Sequence, residues 1–176
     1  MVVRNSPKDT YQRFIEFEEE AAAIYLRFAS RFSSENHGLS AFWLDMALEE
    51  KQHSVLLQFC LGEKWFAPTL PSQPEIRKFA TVFREFEKRA ARKSLTKDEA
   101  FAIAAELEGS EVNAIYCHLT TPLHASLYLL KKKIATSPFD HISHLAAAGK
   151  KFLVASSTLK KLERLKHVCP EGWRAA

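Results

Sequence analysis

Two short motifs of acidic and histidine residues lie 91 positions apart, and this repeat constrains the fold more than any other feature of the chain. Four pairs of positions share the offset: Glu50 and His141, His53 and His144, Tyr25 and Tyr116, and Glu20 and Glu111. Coincidences at one offset indicate an internal repeat. We therefore expect two helical hairpins of common descent, which form an antiparallel four-helix bundle with a long crossover between its halves.

Apolar residues recur at spacings of three and four through most of the chain, as is typical of amphipathic helices. Ser6-Pro7-Lys8-Asp9 has the N-cap, first-turn proline and acidic residue of a helix start, and Thr96-Lys97-Asp98-Glu99 reads as a capping box. We expect helices over 7–32, 39–61, 75–93, 97–119 and 123–135, and a fourth bundle helix that begins at Ser137-Pro138 and ends before Pro170. In a single domain over 1–176, these make a hairpin over 7–62, a crossover with an accessory helix over 63–95, and a hairpin over 96–168.

The composition is that of an ordinary folded domain. The chain has 176 residues, 47% of them apolar, with only five Gly and seven Pro. Because no apolar run reaches the ~18 residues of a spanning helix and the first residues lack a signal peptide pattern, we expect a cytoplasmic protein with no membrane partner. The net charge of +4 is mild. The basic residues between 77 and 97 favour a solvated helix face over an acidic partner.

Carboxylates and histidines lie on the helix faces that we expect to meet in the core. Helix one carries Glu18 and Tyr25, which are seven residues apart and share a face, whereas Glu16, Glu19 and Glu20 are expected to be solvated. Carboxylates are rarely buried unless they are paired or bound to a metal. Bridging carboxylates with one imidazole for each metal are suited to a pair of iron ions. The candidates on the other three helices are Glu50 and His53, Glu108 and Glu111, and His141 and His144.

These elements resemble the rubrerythrin branch of the ferritin-like superfamily over about residues 8 to 165. The motifs that carry the resemblance are Glu18-x6-Tyr25, Glu49-Glu50-x-x-His53, Glu108-x-x-Glu111-x4-Tyr116 and Asp140-His141-x-x-His144. The resemblance implies an all-α ferritin-like four-helix bundle with a non-haem diiron site and two irons per chain. It implies metal ligands at Glu18, Glu50, His53, Glu108 and His144, with Glu111 as an extra carboxylate.

The resemblance also implies an activity, namely reduction of peroxide or dioxygen, or oxidation of ferrous iron, and it gives a homodimer as an expectation. Glu50 and Glu111 are the candidate carboxylates that change coordination during such a reaction. Tyr25 is a candidate catalytic residue. The alternative is that Tyr25 is an ordinary core tyrosine whose hydroxyl is hydrogen-bonded. The three cysteines contain no C-x-x-C pair, so the rubredoxin-like domain of rubrerythrins is missing. Electrons would come from a separate electron-donor protein or directly from ferrous iron.

Two departures from the family pattern concern the fourth helix. His141 stands where the family has a bridging glutamate, and Pro138 places His141 in the first turn of its helix. We hypothesise that Glu111 substitutes in part for the missing carboxylate and that His141 is a direct nitrogen ligand. Such a site could hold one metal tightly and another loosely, or prefer zinc or manganese to iron.

Two other functions stay open from the sequence. One is a degenerate bundle that has lost catalysis and acts as a binding or structural module. The other is a ferritin-like hydroxylase that acts on a bound organic substrate or on RNA. A deep apolar cavity beside the metals would favour the hydroxylase, whereas a small closed site would favour peroxide or iron chemistry.

Overall fold

The described part of the chain is entirely helical. The computed structural model describes residues 6–67, 69–111 and 141–166, with only the backbone at residue 111, and these ranges contain no strand. The predicted all-α class is therefore confirmed. The helices are α1 (Pro7–Phe32), α2 (His37–Gly62), α3 (Gln73–Ala90), α4 (Lys97–Glu111), α5 (141–151) and α6 (Ser156–Leu165).

Helices α1 and α2 form an antiparallel hairpin, as predicted. Helix α1 begins in a capping box, in which Ser6 accepts from the backbone of Asp9 and the Asp9 carboxylate accepts from the backbone of Ser6. Helix α2 begins two residues earlier than predicted, because the Asn36 side chain caps it by accepting from the Leu39 backbone. Only residues 33–36 separate the two helices, so the chain must reverse direction there and the helices lie side by side.

Helix α3 is the predicted accessory helix, and it packs against α1. Phe17 of α1 stacks on Phe83 at 5.0 Å between ring centroids. The helix starts at Gln73 rather than Glu75, because Ser72 and Glu75 form a second capping box around Pro74. Proline is compatible with a first helical turn, where its missing N–H has no partner to lose. The predicted end at residue 93 is also wrong, since the helix stops at Ala90.

Helix α4 starts at the predicted capping box, with Thr96 and Glu99 each accepting from the other's backbone N–H. It contacts α3 and α6, and Arg89 bonds to Glu106 over 2.5 Å. The rest of the predicted third bundle helix lies outside the described residues, as do the stretch 123–135 and the predicted start at Ser137-Pro138.

The fourth bundle helix was predicted to be continuous, and this is wrong. The chain leaves the helix after residue 151 and starts α6 at Ser156. Leu153 adopts a left-handed backbone with φ of 54°, and the N–H of Val154 bonds back to the Gly149 carbonyl at 2.9 Å. These are the features of a Schellman helix end. Lys97 Nζ also donates to the Phe152 carbonyl, so the helix end is fixed to the start of α4.

Gly149 allows α5 and α6 to approach closely. A Cβ atom at this position would lie 2.8 Å from Leu159 Cδ2, closer than any side chain tolerates without movement. The absence of a side chain at residue 149 thus lets Leu159 of α6 pack directly against the backbone of α5.

Large aromatic side chains form the core next to the buried carboxylates. The Trp43 ring stacks on Tyr25 at 5.7 Å and contacts Phe101 at 4.8 Å between centroids, and all three side chains are buried. Within the described ranges, no helix is both long and apolar enough to cross a membrane.

Candidate metal centre

Four helices each contribute to one cluster of buried carboxylates and imidazoles. Its residues are Glu18 from α1, Glu50 and His53 from α2, Glu108 from α4 and His141 from α5. None is more than 7% exposed. Burial of an ionised carboxylate is costly unless a charge or a metal compensates it. A cluster of three such groups therefore needs a compensating charge.

The Glu50 carboxylate contacts both imidazoles of the cluster. Its Oε2 is 3.0 Å from His53 Nδ1, and its Oε1 is 3.2 Å from His141 Nδ1. The two rings stack with centroids 4.8 Å apart and planes 28° from parallel. One ligand atom from each of these three residues lies within 4.8 Å of the others, so Glu50, His53 and His141 could hold a metal ion.

Glu18 and Glu108 lie beside this group. Glu18 Oε2 is 3.5 Å from His53 Nδ1, and Glu108 Oε2 is 3.5 Å from His141 Nδ1. The other oxygen of Glu108 accepts a hydrogen bond from the Tyr25 hydroxyl at 2.5 Å. Tyr25 thus lies on the inner face of α1, as predicted, and contacts a buried carboxylate.

The pKa values follow from burial and from the opposite charges in the cluster. Burial raises the pKa of Glu18 to about 7, and it also raises the pKa of Glu108. Burial would likewise raise the pKa of Glu50, but His141 and His53 together hold it below its ordinary value.

Burial alone would lower the pKa of both histidines, yet the carboxylates outweigh it. Glu18 and Glu50 raise the pKa of His53 to about 9, and Glu50 and Glu108 raise that of His141 well above its ordinary value. Protons on the two imidazoles therefore offset most of the charge of the three carboxylates when no metal is bound, and a metal must displace them.

His144 is the predicted ligand that lies outside the cluster. Its side chain is 56% exposed, and its Nδ1 is 3.4 Å from Glu49 Oε1. The buried stripe of α5 contains Ile142, Leu145 and Ala146. His141 lies on this stripe, whereas a residue three positions later on the same helix lies about 60° to one side of it.

Glu49 is a neighbour of the cluster that the sequence did not single out as a site residue. Its Oε2 is 2.8 Å from His141 Nε2, on the opposite side of the ring from Glu50. Both atoms are buried, and neither has a hydrogen-bond partner elsewhere among the described residues. The sequence shows Glu49 as an acidic residue directly before Glu50. Its position alone does not predict which helix the Glu49 side chain contacts.

The other predicted residues fall into two groups. Of the three glutamates expected to be solvated, Glu16 pairs with Arg13, Glu19 bonds to Ser54 at 2.6 Å, and Glu20 lies 3.6 Å from Arg13. The Glu111 side chain, Tyr116 and Asp140 lie outside the described residues, so the predicted roles of Glu111 as a ligand and as a catalytic carboxylate stay predictions.

A cavity of about 720 Å³ opens beside the cluster, between α2 and α5. Its wall includes apolar side chains from both helices, among them Phe42, Met46 and Phe152, together with Glu49 and His144. Glu49 thus faces the cavity and also contacts His141 of the buried cluster.

The chemistry of the donors fits a divalent transition metal. Carboxylate oxygens and imidazole nitrogens are ligands of iron, manganese and zinc. Oε1 of Glu50 is buried and has no partner in hydrogen-bonding geometry among the described residues, although His141 Nδ1 lies 3.2 Å away.

A comparison of the chain with protein-family models, with curated proteins and with solved structures found no match.

Proposed function

We propose that this protein is a non-haem iron oxidoreductase of the ferritin-like, rubrerythrin-like type. It reduces peroxide or dioxygen, or oxidises ferrous iron, at iron held by the buried cluster, and it holds two irons when fully loaded. Zinc or manganese are the alternative metals, because the same donors bind them.

One observation carries the proposal. Glu18, Glu50, His53, Glu108 and His141 come from four separate helices and meet in a single buried cluster. Bringing three carboxylates together inside an apolar core would destabilise the fold unless a cation or bound protons offset their charge. A bundle with a Glu or a Glu-x-x-His contribution from each helix is the pattern of dimetal carboxylate proteins. The departures from this pattern are His141, in place of the fourth carboxylate, and His144, which lies outside the cluster.

The residues around the cluster have separate roles. Glu50 and the two imidazoles bind the metal, and Glu18 and Glu108 offset its charge. Tyr25 fixes the orientation of Glu108 through its hydroxyl. The buried rings of Trp43 and Phe101, which pack against each other at 4.8 Å between centroids, exclude water from that side. When bound, iron supplies the one-electron chemistry, and the two electrons for each peroxide come from ferrous iron or from a separate donor protein.

The test is anaerobic loading of the metal-free protein with Fe(II), followed by hydrogen peroxide. Elemental analysis measures the bound iron. The amount of peroxide consumed is then compared with the amount of iron oxidised. His141→Ala and His144→Ala form a matched pair, because they remove an inward and an exposed histidine of the same helix. We expect wild type and His144→Ala to bind iron and consume peroxide, and His141→Ala to lose both.

Two results would overturn the proposal. One is a wild-type protein that binds no iron after anaerobic loading, which would favour the binding-module alternative. The other is His141→Ala with unchanged iron binding, provided that circular dichroism shows both variants to be folded.

The cavity favours a second candidate function, the oxidation of a bound organic substrate. Its volume of about 720 Å³ is in the range of small-molecule sites, and its wall is largely apolar. The exposed Ala147 lines it, so Ala147→Phe would obstruct part of the cavity and leave the core unchanged. Peroxide reduction should survive Ala147→Phe, whereas oxidation of an organic substrate should be lost.

A further inference from the structure

The five donors of the cluster are not equivalent in position. Ligand atoms of Glu50, His53 and His141 lie within 4.8 Å of one another. Each oxygen of Glu50 faces the Nδ1 atom of one imidazole, at 3.0 and 3.2 Å. The three side chains thus converge around one carboxylate, from α2 and α5 alone.

The kinds of donor in this group point to a single metal ion. Two imidazoles and one carboxylate on one face of an ion form the ligand set of mononuclear non-haem Fe(II) sites, which keep open positions for an oxidant and a substrate. A neutral imidazole has one lone pair available in the plane of its ring, on one nitrogen. His141 can therefore bind one ion through Nδ1, but it cannot bridge two as a carboxylate does.

Glu108 is also restricted as a bridge. A carboxylate that bridges two ions through separate oxygens uses both of them, and the Tyr25 hydroxyl at 2.5 Å already occupies one of the two lone pairs of Glu108 Oε1. Its Oε2 lies 3.5 Å from His141 Nδ1, at the edge of the convergent group. Within the described ranges, a second ion would therefore find fewer donors than the first.

We infer that Glu50, His53 and His141 form one high-affinity position for a single divalent transition-metal ion, and that the cluster loads its metals stepwise. Glu18 and Glu108 contribute to a second, much weaker position. This inference rests on the proposed function, because it concerns the metal at the same cluster. It adds which side chains hold the first ion and why the second ion binds weakly.

The experiment is an anaerobic titration of the metal-free full chain with Co(II). Binding is monitored by calorimetry and by the visible absorption bands of bound cobalt. The same titration is repeated with Fe(II). We expect one tight equivalent, and a second equivalent that binds roughly 100-fold more weakly. Two equivalents of similar affinity would overturn the inference and leave the proposed function standing. No bound metal would overturn both.

Variants separate the position from its neighbours. Glu50→Gln and His141→Ala should lose the tight equivalent, whereas Glu108→Gln and Glu18→Gln should keep it. Glu16→Gln is the matched control, since Glu16 lies on the same helix as Glu18 but is half-exposed and paired with Arg13. Loss of the tight equivalent in Glu111→Ala would overturn the inference.

His141→Glu gives a positive test, because it restores a carboxylate that can bridge. We expect this variant to bind two equivalents of Co(II) with similar affinity. Wild-type affinity and a single equivalent in His141→Glu would show that the imidazole is not a ligand, and would overturn the inference. Circular dichroism and the denaturation midpoint of each variant establish that it is folded.

Discussion

The Tyr25 hydroxyl donates a hydrogen bond to Oε1 of Glu108 over 2.5 Å, and both side chains are buried. The contact joins α1 to α4 across the interior of the protein. Hydrogen bonds to charged groups contribute more than those between neutral groups, and a buried acceptor that loses its donor is costly. This contact between the two helices thus depends on a group that belongs to the candidate metal centre.

Tyr25→Phe should therefore destabilise the protein. We expect a loss of about 1–3 kcal/mol in the free energy of unfolding, measured by urea denaturation. Tyr11→Phe is the control, because the Tyr11 hydroxyl is also buried but accepts from the backbone N–H of Ala67. A smaller loss in Tyr25→Phe than in Tyr11→Phe would contradict this account of Glu108.

Glu49 should act as a positioning residue for His141. Its carboxylate lies 2.8 Å from Nε2, and a carboxylate on the far nitrogen of a metal-binding imidazole orients the ring. Glu49→Ala should weaken Co(II) binding by about 10- to 100-fold, with part of the affinity retained in Glu49→Gln. Asp45→Ala is the control, since Asp45 lies one turn away on the same cavity wall. Equal affinities in all these proteins would show that Glu49 has no such role.

The stability of the metal-free protein should fall with rising pH, as the contribution of Glu18 is lost between about 4.5 and 7 and that of His53 between about 6.5 and 9. The folded pKa values are about 7 for Glu18 and about 9 for His53, against ordinary values of 4.5 and 6.5. Both groups bind protons more tightly in the folded chain. Their contribution is complete below the ordinary value of each, and it is lost as the pH passes through the folded value. Each proton adds a slope of up to about 1.4 kcal/mol per pH unit.

Urea midpoints at pH 6.5, 7.5, 8.5 and 9.5, in the presence of a chelator, would measure this slope. Metal-loaded protein should lack it, because a metal-bound imidazole no longer carries the proton. His53→Ala should reduce the slope in the metal-free protein. Metal-free protein whose stability rises between pH 7 and 9 would contradict the charge balance that we derive for the cluster.

Leu153→Gly should stabilise the end of α5. Leu153 has a φ of 54°, and its side chain is 84% exposed, so glycine relieves backbone strain without removing buried contacts. We expect a gain of about 0.5–1 kcal/mol, because a left-handed conformation costs a non-glycine residue roughly 1–2 kcal/mol and glycine returns part of this as entropy in the unfolded chain. Leu153→Ala should give no gain, since alanine keeps the Cβ. Thermal unfolding of the two variants compares them directly.

The starts of α1 and α4 were predictable because each depends on a few neighbouring side chains. Ser6 with Asp9 and Thr96 with Glu99 are local hydrogen-bonding pairs that spacing alone reveals. The break after α5 could not be predicted in the same way. Leucine at 153 gives no local signal for a left-handed residue, and the Lys97 contact to the Phe152 carbonyl comes from another helix.

The candidate site was predictable to the level of which helices meet, but not to the orientation of each side chain. Four of the predicted residues lie on the apolar faces of their helices, and packing of those faces carries their side chains into the core. They are Glu18, Glu50, His53 and Glu108. His141 and His144 differ by one turn, and only the packing of α5 decides that the first points inward. Glu49 could be placed against His141 only once that packing was known.

Anomalous diffraction at the iron edge, from crystals of protein loaded anaerobically with Fe(II), tests the central claim most directly. The account predicts that the strongest peak lies between Glu50, His53 and His141, with any second peak weaker and closer to Glu18 or Glu108. Iron found only at surface carboxylates, with no peak in the buried cluster, would contradict it.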